Sequence, residues 1–516
     1  MLLSKIARCS SDVAVTSPRL GKIERLAACL RQLSPEEVPV AVAYLSGELP
    51  QGSIGVGWAA LRDLPPPAGT PTLELLEVHA ALGRVGAATG PGSQGVRRRE
   101  LHDLFGRATE EERTFLFGLL QGELRQGALE GVMVEAVARA AGVPAAEVRR
   151  AAMLAGNLAE VARAAAAEGA GGLARYRLTL LRPIKPMLAQ TATDIADAFA
   201  RISPASVEWK LDGARVQVHR SGSEVRAFTR NLADVTDRMP EVVETIRALP
   251  IESIVLDAEA IALRAEGARP VAFQETMGRF GSRLEVEQHR ARLPLSVFAF
   301  DCLHVDGEDL LDRPQRERFD ALASRLPAEL VVPRLVTVDR EEAERFLDDA
   351  LQRGHEGVMV KSLEAPYEAG RRGAGWLKVK RAHTLDLVVL AAEWGHGRRR
   401  GWLSNLHLGA RDPESGGFVM LGKTFKGMTD QMLAWQTERL QQIATRSEGI
   451  TVYVRPELVV EVAFDGLQSS TRYPSGLALR FARIKGYRHD KGPEDADTIQ
   501  TVREIHARSG GSGTRP

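Results

Sequence analysis

The sequence predicts a multidomain protein built from three stretches of different class: an all-α stretch to about residue 180, a mixed α+β stretch from 181 to about 385, and a small β-barrel from 386 to about 505, followed by a flexible tail (506–516). Three observations carry this. Residues 16–180 are rich in Ala, Leu, Glu and Arg, with apolar residues three or four apart. After 180, alternating β-branched segments mix with helical ones. Beyond Leu385, short apolar strands repeat between Gly, Pro and charged turns. At 516 residues the chain is also too long for one ordinary core.

In the helical stretch Ser17 and Pro18 mark a start, and Leu20, Ile23, Leu26 and Leu30 follow on one face. The octet Leu-x-Gly-Glu-Leu-x-Gln-Gly occurs twice, as LSGELPQG from Leu45 and LQGELRQG from Leu120. Two readings stand side by side. Gly47, Gly52, Gly122 and Gly127 interrupt helical patterns and expose amides suited to phosphates at helix starts; alternatively, each octet is a helix end plus loop, reused through duplication. Gly169, Gly171 and Gly172, followed by PIKPMLA, predict a linker and a boundary near 180.

The mixed stretch centres on EWKLDGARVQVHR, residues 208–220, with a Lys-x-Asp-Gly-x-Arg pattern at Lys210, Asp212, Gly213 and Arg215. Val216 and Val218 alternate with Gln217 and His219, which predicts a strand with two unlike faces. Lys210 then sits at a strand end beside a glycine turn. A lysine there is ordinarily a solvated charge, but its neighbours suit phosphorus chemistry. Gly213 permits close backbone approach, Arg215 offers a planar fork for phosphate or ribose oxygens, and Glu208 adds an acceptor. An amine is nucleophilic only when deprotonated, so the site needs cations or desolvation to lower the pKa of Lys210.

Downstream, SGSE at 221–224 predicts a hairpin leading to a strand that ends at Arg230, by itself a surface arginine. IVLDAEAIAL is an apolar strand broken by Asp257 and Glu259, which share a face. Buried acids are costly unless they bind something or form an internal ion pair. In LSVFAFDCLHVDG, Phe298 and Phe300 share a face and read as core. HEGVMVK sets Glu356 and Lys361 about an apolar strand, and in RRGAGWLKVKR Lys378 and Lys380 point to one side. Helices are predicted at 241–249 and 341–351.

In the last stretch LDLVVLAAEW, FVMLGKTF, ITVYVRP and ELVVEVAF, with one helical segment at 432–445, predict an OB-fold. Arg398, Arg399 and Arg400 form a basic turn.

Composition narrows the function classes. Lys plus Arg (68) against Asp plus Glu (67) leaves a net charge of +1, so affinity for nucleic acid must come from local patches. Cys9, Cys29 and Cys302 form no Cys-x-x-Cys pair, which argues against a zinc module or disulfide framework. No apolar run reaches membrane-spanning length, and no leader precedes Lys5 and Arg8. A soluble, cytoplasmic protein is expected.

Taken in order, these stretches resemble the motifs of the nucleotidyltransferases that include ATP-dependent DNA ligases, RNA ligases and capping enzymes. With its helical region, the chain resembles the ATP-dependent DNA ligases of archaea and bacteria related to the eukaryotic replicative enzyme. The resemblance implies that Lys210 becomes joined to AMP, that Arg230 and Arg372 meet the nucleotide, and that Glu259 meets its ribose or the metal. It implies that Phe300 stacks on the purine, Glu356 holds Mg²⁺, and Lys378 and Lys380 face the α-phosphate, with Lys361 supporting. LRFARIKGYRHDK resembles the last ligase motif at Arg480, Phe481, Arg483, Arg488, Asp490 and Lys491; Gly486 departs from a commonly bulkier position and leaves Lys485 without an assigned role. The helical region would bind DNA, with Arg97, Arg98, Arg99, Arg125, Arg398 and Arg399 as backbone contacts, although charge runs are commonly solvated faces. ATP, Mg²⁺ and nicked duplex DNA are the expected ligands of a monomeric, nucleoid-associated enzyme.

Two rival classes remain open. An RNA ligase or GTP-using capping enzyme shares the lysine chemistry but leaves the helical region unexplained. A non-catalytic DNA clamp requires a degenerate core, whereas nucleophile, acids and paired lysines are all present. NAD⁺ as donor is disfavoured by the missing zinc-binding cysteines.

Overall fold

The computed structural model describes residues 1–508 other than 53, 58–60, 62–63, 125, 128–129, 264–269, 272, 282–285, 370–372, 374 and 381–382. The first third is helical: α1 (Leu3–Val15), α2 (Arg19–Leu30), α3 (Val38–Leu45), α4 (Leu75–Ala87), α5 (Ser93–Arg107), α6 (Glu110–Leu120), α7 (Glu130–Ala141), α8 (Ala145–Ala155) and α9 (Leu158–Ala174). Their apolar stripes form one core, in which Ile23, Leu26 and Leu30 of α2 are buried while Leu20 is 64% exposed. Helix α1 was not anticipated: Leu3, Ile6 and Val13 give it a buried face. Gly169, Gly171 and Gly172 lie within α9 rather than in a linker, and only Gly169, with a φ of 58°, kinks it.

The twin octets end their helices in the same way. Leu45 ends α3 and Leu120 ends α6, and Gly47, Gly52, Gly122 and Gly127 all have positive φ (76°, 67°, 66° and 69°). After each helix the Glu amide donates back across the cap, Glu48 to the Ala43 carbonyl (2.9 Å) and Glu123 to that of Gly118 (2.7 Å). This is a glycine-terminated helix end, so Gly47 and Gly122 close helices. The octet glutamines turn inward: Gln126 receives the Ser10 hydroxyl (2.5 Å) and donates to the Leu45 carbonyl, and Gln51 donates to the His79 carbonyl (3.0 Å).

The middle region runs β1 (Gln190–Thr191), α10 (Ile195–Arg201), β2 (Ala205–Lys210), β3 (Ala214–Ser221), β4 (Glu224–Thr229), α11 (Pro240–Ala248), β5 (Ser253–Ala262), α12 (Phe273–Gly281), α13 (Val286–Arg292), β6 (Leu295–Val305), β7 (Glu308–Asp309), α14 (Gln315–Arg325), β8 (Arg334–Thr337), α15 (Arg340–Gln352), β9 (Gly357–Ser362) and β10 (Trp376–Lys380). It holds two five-stranded sheets, ordered β1-β10-β9-β2-β8 and β4-β3-β5-β6-β7. The turn between β2 and β3 passes from one to the other. A Cβ at Gly213 in that turn would lie 2.4 Å from the Ala260 carbonyl oxygen, so only glycine allows the crossing so close to β5.

The last region runs β11 (His383–Trp394), β12 (Leu403–Asp412), β13 (Gly417–Thr424), α16 (Asp430–Gln442), β14 (Ala444–Glu448), β15 (Thr451–Val454), β16 (Val459–Phe464), β17 (Gly466–Ser469), β18 (Leu477–Arg480), β19 (Arg483–Tyr487) and α17 (Ile499–Arg508). Strand β11 pairs with β16 through its first half and β15 through its second, with β12 along its other edge, which curls the sheet about a core of Leu385, Leu408, Val460 and Phe464. The α17 helix continues to Arg508, beyond the predicted start of the tail. Among the described residues no helix is long and apolar enough to cross a membrane.

The predicted second face of β3 is not solvent-exposed. Gln217 and His219 are both buried, and they staple residues 181–184, between the helical and middle regions. His219 Nδ1 accepts the Leu181 amide (3.1 Å) and its Nε2 lies 2.8 Å from Gln217 Oε1, which also accepts the Ile184 amide (2.8 Å). These partners put the ring proton on Nε2. Burial, aided by His304, depresses the His219 pKa from 6.5 to about 3. The folded state therefore binds fewer protons than the unfolded state between those values, and stability is full above pH 6.5 and lost as pH falls toward 3. The pH dependence of unfolding should lose part of this slope, worth up to about 5 kcal/mol, in His219→Gln.

Candidate active site

Register brings the expected residues onto one face of the first sheet. Across β10, β9 and β2 the aligned rows are Lys380, Gly357 and Lys210; Lys378, Met359 and Glu208; Trp376, Lys361 and Ser206. Because side chains alternate with period two, all of these point to the same side. The intervening residues, Val207, Val358, Val360, Leu377 and Val379, fill the opposite face against α10 and α15. The apolar alternation thus fixes the chemical face. At Gly357 (φ 144°) a Cβ would come within 2.2 Å of the Val379 carbonyl oxygen, so the gap between the two lysines is kept by the absence of a side chain.

Into that gap comes Glu356, whose amide donates to the Lys210 carbonyl (3.1 Å). Its carboxylate pairs with both Lys210 and Lys380, the latter at 2.9 Å. Burial pushes the Glu356 pKa up, but Lys210 and Lys380 outweigh it and hold it at about 2. For Lys210 burial acts downward, and Glu356, Glu259 and Asp212 more than reverse it, leaving the ammonium above its ordinary pKa. The three carboxylates, and not the cations expected to depress it, thus prevail at Lys210.

The second sheet supplies the facing wall. Arg215 aligns with Glu259 and Gln217 with Asp257, and the two acids have parted roles. Asp257 is the internal ion pair: it takes Arg215 Nε (2.9 Å) and Nη2 (2.6 Å) and the Tyr367 hydroxyl (2.7 Å). Arg215 Nη1 donates to the Met187 carbonyl (2.8 Å), so the fork predicted for phosphate or ribose is spent within the protein. Glu259 accepts the Gly213 amide (3.1 Å), and burial, opposed by Lys210 and Arg215, raises its pKa to about 7.

Glu208 lies deeper than predicted, 1% exposed, against the equally buried Lys361 at 2.5 Å. Ser206 and Gln315 donate to its other oxygen (3.2 and 3.3 Å), and Lys361 also donates to the Phe300 carbonyl (3.0 Å). Burial raises the Glu208 pKa against the pull of Lys361. Phe300 is skipped at one of the two register shifts between β5 and β6. Its ring meets Trp376 edge-on at 6.0 Å and lies 5.4 Å beneath the Arg215 guanidinium.

The last region reaches this face. Arg480 Nη1 donates to Asp212 (3.2 Å), and Asp465 approaches Lys380 (3.5 Å) and Arg483 (3.7 Å). Burial and the neighbouring Glu356 raise the Asp212 pKa, opposed by Arg480. Lys491, expected among the supporting residues, lies elsewhere: it pairs with Asp386 at 2.6 Å, as does Arg488 at 2.9 Å. Lys485 pairs with Glu461 (3.2 Å).

Arg230 lines a cleft of about 830 Å³ between the helical and middle regions, together with Ser46, Glu48, Gly127 and Lys185. Arg97 is spent on the Val85 and Ala88 carbonyls (3.3 and 2.7 Å), while Arg98 and Arg99 are exposed. Arg399 donates to the Phe425 carbonyl. Arg125, Arg372 and the Arg398 side chain lie outside the described residues. Among the described residues no three His, Cys, Asp or Glu side chains form a metal cage. Glu259 and Glu356 fit Mg²⁺ in the way such ions are held beside phosphates, through one or two carboxylates with substrate oxygens completing the shell.

Sequence reasoning missed Asp465, Tyr367 and the buried pair of Arg318 with Asp301 (2.8 and 3.0 Å). Arg318 was hidden on a charged helix. Asp465 carried a faint signal, an acid directly after the apolar strand ELVVEVAF.

The family model of the ATP dependent DNA ligase domain matches residues 186–380, that of the ATP dependent DNA ligase C terminal region residues 399–491, and that of the DNA ligase N terminus residues 59–138. A protein named Probable DNA ligase from Anaeromyxobacter dehalogenans (strain 2CP-1 / ATCC BAA-258) is 63% identical over 98% of this chain and 100% of its own length. One of the same name from Mycolicibacterium gilvum (strain PYR-GCK) is 59% identical over 98% of this chain and 100% of its own. The solved structure titled Pmar-Lig_PreS3 shares the fold at a TM-score of 0.63 and 18% identity, covering 94% of this chain and 99% of that one. By this similarity over nearly its whole length, the chain belongs to the ATP-dependent DNA ligase family.

Proposed function

We propose that the chain seals nicks in duplex DNA with ATP as donor and Lys210 as the residue that carries AMP. The observation that supports it most is the row of Lys210, Gly357 and Lys380 with Glu356 between the lysines. Neutral Lys210 attacks the α-phosphorus; a nitrogen–phosphorus bond forms as the bond to pyrophosphate breaks, and the amine's proton is lost. A 5′-phosphate oxygen at the nick then takes the AMP, returning the lysine. The 3′-hydroxyl finally attacks that phosphate, its proton leaves, and AMP departs. Mg²⁺, when bound, would be held by Glu356 and Glu259 and supply charge neutralisation at the phosphates.

In this reading Glu356 is a guard and a switch. It raises the Lys210 pKa, and recruiting Glu356 elsewhere releases the amine. Lys378 and Lys380 balance phosphate charge, and Phe300 offers its ring to the purine. Glu208 and Arg215 act from beneath, by holding the walls of the site. Residues 1–180 would form the DNA-binding domain, 181–385 the nucleotidyltransferase domain and 386–505 the OB-fold. The cleft lined by Arg230, Gly127, Ser46 and Glu48 would face DNA, with Gly47, Gly52 and Gly122 in the same octet loops as further backbone contacts. With Arg480 at Asp212 and Lys491 on Asp386, the barrel must turn before Lys491 can serve pyrophosphate release.

Intact mass after incubation with ATP and Mg²⁺ tests this. The wild type should gain one AMP and lose it on nicked duplex as the strand joins, and Lys210→Ala should gain none. No adduct on pyrophosphate-free wild type, or an adduct on Lys210→Ala, would sink the reading.

A further inference from the structure

Lys380 has two acidic partners from different regions: Glu356 at 2.9 Å, from the start of β9, and Asp465 at 3.5 Å, from the turn between β16 and β17. Asp465 is tied to the other barrel residue at the site, since its amide donates to the Arg480 carbonyl (3.0 Å), and Arg480 in turn reaches Asp212 (3.2 Å). The barrel therefore meets the middle region through two charge pairs of opposite sense, an arginine on a core acid and an aspartate on a core lysine. Lys380 and Asp465 are 21% and 23% exposed, so the pair is partly sheltered from solvent screening. In the same arrangement Arg488 and Lys491 are engaged by Asp386.

We infer that Asp465 is a positioning residue that docks the barrel through Lys380 and, while docked, competes with the ATP phosphates for that lysine. The inference rests on the ligase reading above. A triphosphate entering beside Lys380 meets an acid that shares the cation, and its own negative charge repels that acid. Binding ATP and docking the barrel thus oppose each other. Once pyrophosphate has left, the charge that repelled Asp465 is largely gone, and the docked arrangement becomes available for the steps on DNA. Asp465 carries no bond-making role; it sets which arrangement Lys380 serves.

The test separates the two halves of the reaction in Asp465→Asn: single-turnover formation of the AMP adduct across a range of ATP concentrations, and sealing of a nick that already carries a 5′-adenylate. Loss of the competing charge should lower the ATP concentration for half-maximal adduct formation about threefold, and loss of the docking pair should slow sealing of the adenylated nick about fivefold. Asp465→Glu, which keeps the charge, should move both values back toward wild type. A merely structural role predicts parallel losses in both assays. Parallel losses, or no change in either, overturn the inference; if the Asn variant does not fold, Asp465→Ser decides by the same comparison. Failure of the ligase reading looks different, because the wild type itself would then form no adduct.

Discussion

Replacing Lys361 with alanine should be among the most damaging single changes in the chain. Lys361 and Glu208 are both 1% exposed and 2.5 Å apart, and Lys361 is also the donor to the Phe300 carbonyl. Removing the ammonium leaves a carboxyl in the interior with Ser206 and Gln315 as its donors among the described residues, and leaves a carbonyl without its lysine. Breaking a buried pair by deleting one partner costs about 3–5 kcal/mol, which corresponds to roughly 10 °C in the midpoint of a region this size. The Lys361 ammonium also lies over the Phe300 and Trp376 rings, its Nζ 4.9 and 4.5 Å from their centres. Lys361→Ala therefore also loosens the ring offered to the purine. Thermal unfolding of the variant beside Glu208→Gln/Lys361→Met separates the causes. The double variant removes both charges at similar volume and should recover most of the stability. If Lys361→Ala is as stable as wild type, the pair does not hold the wall of the site.

How much of this was legible in the sequence depends on what each residue answers to. The two-faced strand after Lys210 and the paired lysines of β10 were readable because period-two alternation fixes a face without reference to the rest of the fold, whereas Glu356 lies ahead of its strand and came only with the resemblance. Leu20 was misjudged, although it continues the α2 spacing, because periodicity does not say where a stripe ends. The two unlike faces of β3 were legible as chemistry but not as burial: Gln217 and His219 face a backbone segment instead of water. Asp257 and Glu259 could not be told apart, because their fates are set by Arg215 and Tyr367, the latter more than a hundred residues away in sequence. The position of Lys491 was beyond reach for a related reason. Its partner Asp386 lies on β11, and which surface of a curled sheet meets the nucleophile is a property of packing between regions.

The second large effect concerns Glu356, and it is expected to move chemistry and reactivity in opposite directions. Glu356 is the acid that does most to raise the Lys210 pKa, against the downward effect of burial. In Glu356→Gln that contribution vanishes, and burial is left opposed only by Glu259 and Asp212. The Lys210 pKa must fall, so at any pH below it a larger fraction of the amine is neutral. Modification of Lys210 by a small amine reagent at pH 8 should accordingly be faster in the variant. AMP transfer should nonetheless slow by about a hundredfold, since the same substitution removes a carboxylate from the set that would hold the ion beside the phosphates. Peptide mapping of the modified lysine and single-turnover adduct formation read the two effects separately. If both rates rise, Glu356 acts only as a guard on the amine and the metal must be held without it. If amine reactivity falls, the three carboxylates do not govern Lys210, and the cations of β10 deserve the role the sequence first suggested. A faster amine in a slower enzyme would instead mean that protecting the nucleophile and orienting the phosphates are two tasks of one side chain, made compatible because Gly357 leaves room for it between Lys210 and Lys380.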